Sequence, residues 1–152
     1  MKTDLRNIDC AHILWFFHER FGIPVSLFDG FDFVSGSQQR VYLVRVALGS
    51  HPKRATGGLN LARLAGGVKP STNFMQMFGG SITKNRMELN RQHAKDYISG
   101  KNLELETDVI GEITDGYVAP IYAGSCLGCS FLKNGTLQNL LPKSHWRKIE
   151  YL

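Results

Sequence analysis

Cys126 and Cys129 stand in a C-x-x-C, a spacing at which two thiolates can share a zinc ion or cycle through a disulfide. A zinc site needs four ligands, and no second C-x-x-C follows. The five histidines, His12, His18, His51, His93 and His145, occur singly, without an H-x-x-x-H pair. The C-x-x-C is flanked by strand-like residues and does not open a helix, where a redox thiolate is stabilised. Two packed cysteines in a hairpin are therefore expected, with no metal site. Ser125 and Ser130 lie beside them without a nucleophile elbow. The chain has no G-x-x-x-x-G-K-[ST] phosphate loop and no strand-flanked G-x-G-x-x-G. No acid, base and nucleophile converge, so neither catalytic residues nor a cofactor are expected.

The charge pattern is more informative. The 152 residues carry a net charge of +5, unevenly distributed. Residues 1–32 sum to −2, residues 33–87 to +8, residues 88–118 to −4 and residues 119–152 to +3. The stretch 33–87 contains no carboxylate at all. Such a segment produces a positive field in any fold, and its natural partner is a polyanion. The acids of 88–118 are spread over an expected helix and loop, as on a solvated face.

The elements that must position these charges are short. Asp9 is placed to cap a helix reaching Phe21, with Cys10, Ile13, Leu14, Phe17 and Phe21 at helical spacing and Gly22 and Pro24 as stops. Val25 to Phe28 reads as a turn of helix, and 31–34 and 41–46 as strands. Ser71 or Thr72 caps a helix to about Phe78, Ile82 to Leu89 is extended, and Asn90 caps a helix over Arg91 to Ser99. Residues 116–122, 126–133 and 136–140 are expected strands, and Asn134-Gly135 is the strongest hairpin signal among them. The glycine-rich region 57–67 marks the expected boundary, dividing the chain into residues 1–60 and 61–152.

The run Val68-Lys69-Pro70-Ser71-Thr72-Asn73-Phe74-Met75-Gln76-Met77-Phe78-Gly79 is followed by Thr83-Lys84-Asn85, Ile98-Ser99-Gly100-Lys101 and Asp115-Gly116-Tyr117-Val118. Lys133-Asn134-Gly135-Thr136-Leu137 and Leu141-Pro142-Lys143 close the series. This ordered string resembles the C-terminal RNA-binding region of the Nop/Sun-type RNA 5-methylcytosine methyltransferases. The resemblance implies an α+β fold, in which a small N-terminal α/β module precedes a PUA-like mixed β-barrel with short flanking helices. It implies RNA as the partner, tRNA or rRNA, with Lys69, Lys84, Arg86, Lys133, Lys143 and Arg63 as backbone contacts. Arg40, Arg45, Lys53 and Arg54 would extend that surface, and Tyr117 and Phe74 are candidates for base stacking or for core packing. His145-Trp146-Arg147-Lys148 either binds RNA or packs the chain's end.

The enzymes of that family also carry a methyltransferase domain, with a donor-binding glycine loop and catalytic cysteines, that this sequence does not contain. The expectation is a non-enzymatic accessory protein that serves a separately encoded RNA-modification enzyme or ribosome biogenesis. The alternative is a protein-interaction adaptor docking on an acidic subunit. An odd number of cysteines, no signal-peptide pattern and no apolar run of membrane-spanning length lead to a cytoplasmic, membrane-free expectation.

Overall fold

The computed structural model describes residues 9–45 and 58–147. Helix α1 (Cys10–Phe21) forms where its caps direct. The Asp9 side chain accepts from the His12 N–H, and Gly22 ends the helix in the left-handed region, donating to His18 O. Ile13, Phe17 and Phe21 face inward and are fully buried. They meet Phe28, from a single helical turn over Val25–Phe28, and Phe74, whose ring centroid is 4.9 Å from that of Phe17. Each ring buried in this way contributes roughly 1.5–3 kcal/mol.

Four antiparallel strands follow in sequence order: β1 (Phe31–Ser35), β2 (Arg40–Arg45), β3 (Leu59–Arg63) and β4 (Lys69–Pro70). Directly opposed residues share one face of such a sheet. Arg40 lies opposite Arg63, Val41 opposite Ala62 and, past a bulge, Tyr42 opposite Asn60. The extra residue, Leu61, lets Leu61 and Ala62 both enter the core, and it turns Asn60 onto the face of Arg40 and Arg63. Two consecutive buried residues do not alternate, so β3 is invisible to a period-2 search. Pro70 is tolerated because β4 is an edge strand with no further neighbour to receive an N–H. The boundary expected at 60/61 falls inside β3, and the change of sheet comes later, between Pro70 and Arg86.

Ser71 caps α2 (Thr72–Phe78) by accepting from the Phe74 N–H, and its hydroxyl donates to Asn60 O. The remaining elements are β5 (Arg86–Glu88), α3 (Arg91–Ile98), β6 (Leu103–Glu104), α4 (Thr107–Ile110), β7 (Gly116–Tyr122), β8 (Ser125–Cys126), β9 (Ser130–Lys133) and β10 (Thr136–Asn139). The second sheet runs β5-β7-β9-β10-β6 with β8 attached to β7. β5 is parallel to β7, and the other pairs are antiparallel. The molecule is thus α+β, with a mixed sheet in its second half. The extended stretch expected over 82–89 is a strand only at β5, after a turn at Gly79–Ser81. The single strand expected over 126–133 is two, because the Leu127 N–H turns to Pro120 O between them. Asn134 and Gly135 both have positive φ, as a tight primed hairpin turn requires.

β7 is the common wall of two cores. Its Ala119 and Ile121 pack with α1, the first sheet and α2, while Val118 packs with Tyr97, Leu132 and Leu137. Pro120 sits where the neighbour changes from β9 to β8, so its missing N–H interrupts no ladder. Polar contacts reinforce the junction. Arg20 donates from Nε to Tyr117 O at 2.6 Å, and from its terminal nitrogens to Thr114 Oγ1 and Thr114 O at 2.7 Å each. In return, the N–H groups of Thr83 and Lys84 donate to Phe21 O, and Asn85 Nδ2 donates to Arg20 O at 2.6 Å. These bonds satisfy carbonyls that the end of α1 would otherwise leave free.

Replacing Arg20 with Ala removes three charge-assisted bonds across this junction. A loss of about 2–3 kcal/mol is expected, after solvent screening of the half-exposed guanidinium. Thermal denaturation followed by circular dichroism should show a midpoint lower by roughly 4–12 °C. An unchanged midpoint would mean that the clamp adds nothing to stability.

Candidate nucleic-acid interface

The register of the first sheet brings three cations into one row. Arg40 pairs with Arg63 across β2 and β3, and Arg63 pairs with Lys69 across β3 and β4. Adjacent strands lie about 4.7–4.9 Å apart, so the row spans roughly 10 Å of sheet. Arg63 and Lys69 are exposed and Arg40 is half-buried. Like charges placed directly opposite one another destabilise a sheet. The ion pairs among the described residues are Arg86–Glu88 at 3.4 Å and Lys101–Asp96 at 3.6 Å, and neither involves the row.

The row borders a cleft of about 230 Å³. Asn60, the start of α2 at Ser71–Asn73, and Leu140, Pro142 and His145 near the chain's end complete its lining. Among the described residues, no Asp or Glu lines it. Cations facing a concavity without carboxylates focus a positive potential there, and an anion entering would relieve the repulsion within the row. The residues of the row come from the acid-free stretch, while the opposite lining comes from the basic end of the chain.

The other expected contacts are distributed differently. Lys84 lies in a separate groove with Asn85, Glu112, Ile113 and Thr114. Arg86 is half-buried and engaged, donating to Ile82 O at 2.8 Å and approaching Glu88. Lys133 is exposed at the end of β9, next to the hairpin whose Asn134 N–H faces Asp115 at 3.5 Å. Lys143 sits 6.0 Å from the Trp146 ring centroid, in the turn between the cleft residues Pro142 and His145. Arg45 rests over the Phe31 ring at 5.4 Å. Lys53, Arg54 and Lys148 fall outside the described residues. Of the six expected contacts, then, Arg63 and Lys69 are brought together, and they are joined by Arg40.

The aromatic candidates resolve towards packing. Phe74 is fully buried, stacked with Phe28 at 5.9 Å. Tyr117 is half-buried and meets Phe131 and Phe16 edge-on, at 5.1 and 6.1 Å. Trp146 donates from Nε1 to Leu141 O at 2.8 Å and lies against Gly100, and the Arg147 N–H donates to Ile98 O. Trp146 and Arg147 are therefore tied to Leu141 and to the end of α3, and this places His145 at the cleft. Tyr42, two residues from Arg40 on β2, and Asn60, which the bulge turns to the same side, also belong to the cation face; a polar Asn between leucines is the one sign of this in the sequence.

Cys126 and Cys129 are buried, free thiols. Burial pushes the Cys126 thiol up to about 11, and it raises that of Cys129 as well. The described residues hold no group of three or more His, Cys, Asp or Glu that could bind a metal ion. Both cysteines serve as packing for the core shared with α1.

Residues 84–148 match the family model described as the Methyltransferase RsmF PUA domain. The match spans β5 to the tail and supports a PUA-like domain resembling the C-terminal region of the Sun/Nop methyltransferases. That family implies RNA binding and association with RNA methyltransferases. A search of curated proteins found no match to the chain. The cation row lies on the module that precedes the matched residues.

The raised thiols carry a pH signature. A group that binds its proton more tightly when folded adds stability below its unfolded value, 9.0 for Cys126, and that contribution fades as pH climbs towards about 11. Native protein at pH 8 should therefore leave Cys126 and Cys129 unreacted with a thiol reagent such as Ellman's, with all three cysteines reacting in denaturant. Rapid native titration of more than one thiol would contradict the burial.

Proposed function

We propose that the protein is a cytoplasmic RNA-binding accessory factor that holds structured tRNA or rRNA by its backbone and serves a separately encoded RNA-modification enzyme. The observation that carries this reading is the Arg40–Arg63–Lys69 row on a cleft that no carboxylate lines among the described residues, next to a domain whose family implies RNA binding. Phosphate contacts through such a row fix register and orientation without reading sequence. Lys143, between two cleft residues, lengthens the contact, and Lys84 and Lys133 lie further along the PUA-like domain.

Binding of a structured RNA should weaken by roughly tenfold or more between 50 and 200 mM salt, if about three phosphates are contacted. Charge reversal at Arg40, Arg63 and Lys69 together should lower affinity at least about tenfold and flatten the salt dependence, with an unchanged melting temperature. Reversal at Arg91, on the acidic segment, is the comparison, and equal losses for both variants would place the site elsewhere. Incubation with labelled S-adenosylmethionine and bulk RNA should give background labelling only. Labelling that follows the purified chain would refute the accessory role.

A further inference from the structure

The cation row ends beside a second pair of side chains on the same face. Tyr42 lies two residues beyond Arg40 on β2, roughly 6.6 Å along the strand. Its direct partner is Asn60, placed there by the bulge at Leu61. Without that extra residue, Leu61 would oppose Tyr42, and the face would carry an aliphatic group where it now carries an amide. Tyr42 is half-exposed, and its ring packs so closely on Gly36 that any side chain at 36 would collide with it. The ring is thus held from behind while part of it remains open. Asn60 lines the cleft, and its shielded Oδ1 has no hydrogen-bond partner among the described residues. An amide oxygen left in that state costs stability, and a ligand group that donates to it would recover that cost.

From this juxtaposition we infer that Tyr42 and Asn60 form a subsite for one unpaired nucleotide of the RNA. The base stacks on the Tyr42 ring, the Asn60 amide turns to hydrogen-bond the base edge, and Arg40, Arg63 and Lys69 hold the adjoining phosphates. This rests on the RNA-binding reading above and adds the kind of RNA element taken. Asn60, Arg40, Arg63 and Lys69 line the cleft of about 230 Å³, and Tyr42 stands outside that lining, beside Asn60 across the strands. Stacking is available to every base, whereas the amide discriminates among base edges. The pair therefore supplies both affinity for unpaired RNA and a preference among bases.

The test compares a flush-ended RNA hairpin with the same hairpin carrying five unpaired nucleotides of U, C, A or G. The wild-type protein should bind the tailed RNAs at least about fivefold more tightly than the flush one, with an unequal order among tails. Tyr42→Leu should lose the tail's contribution and leave binding of the flush hairpin unchanged, while Tyr42→Phe keeps both. Asn60→Leu should keep the tail's contribution but make the four tails alike, with a melting temperature no lower than wild type. If Tyr42→Leu lowers the melting temperature by more than a few degrees, the Asn60→Leu comparison decides alone. Equal wild-type binding of flush and tailed RNA would overturn the subsite while leaving backbone binding intact, as would an Asn60→Leu variant that still ranks the tails. Failure of every RNA to bind would overturn both readings.

Discussion

β7 has to be buried on both faces, and most of the architecture follows from that constraint. A seven-residue strand with Val118 in one core and Ala119 and Ile121 in the other cannot be removed from either. It also needs a partner on each edge, and β5 provides one while β9 and then β8 provide the other. Pro120 fits this strand only because that change of partner falls at its own position. The N-terminal helix and sheet are therefore packed against the PUA-like domain through a shared apolar surface, not attached as a separate appendage.

The polar contacts at this junction follow from the packing. Once α1 rests on β7, the carbonyls at its end would be stranded unless donors meet them, and Thr83, Lys84 and Asn85 do so. Arg20 answers from the other side by donating to Tyr117 and Thr114. Lys84 is thereby tied at its backbone to α1, and its side chain opens beside Glu112, away from the cation row. This hydrogen-bonding requirement thus accounts for the separation of Lys84 from Arg63 and Lys69.

The same logic reaches the cleft. The tail is pinned by Trp146 to Leu141 and by Arg147 to Ile98, which carries His145 to the sheet of the preceding module. The cleft consequently draws on both halves of the chain. Neither half alone contains the cation row and the lining opposite it.

Local chemistry determined much of this protein without help from the rest of the fold. Asp9, Ser71 and Asn90 cap their helices because a short polar side chain beside free N–H groups has one favourable use, and Asn134-Gly135 makes its turn because both residues accept positive φ. The acid-free stretch and the PUA-like string were likewise legible in the order of residues. Tertiary structure alone decided which cations meet. Arg40, Arg63 and Lys69 are separated along the chain and become neighbours only through strand register, and a one-residue bulge at Leu61 sets Asn60 on their face. That bulge is set by the need to bury Leu61 and Ala62 together, a demand of the assembled core that no local pattern of polar and apolar residues records.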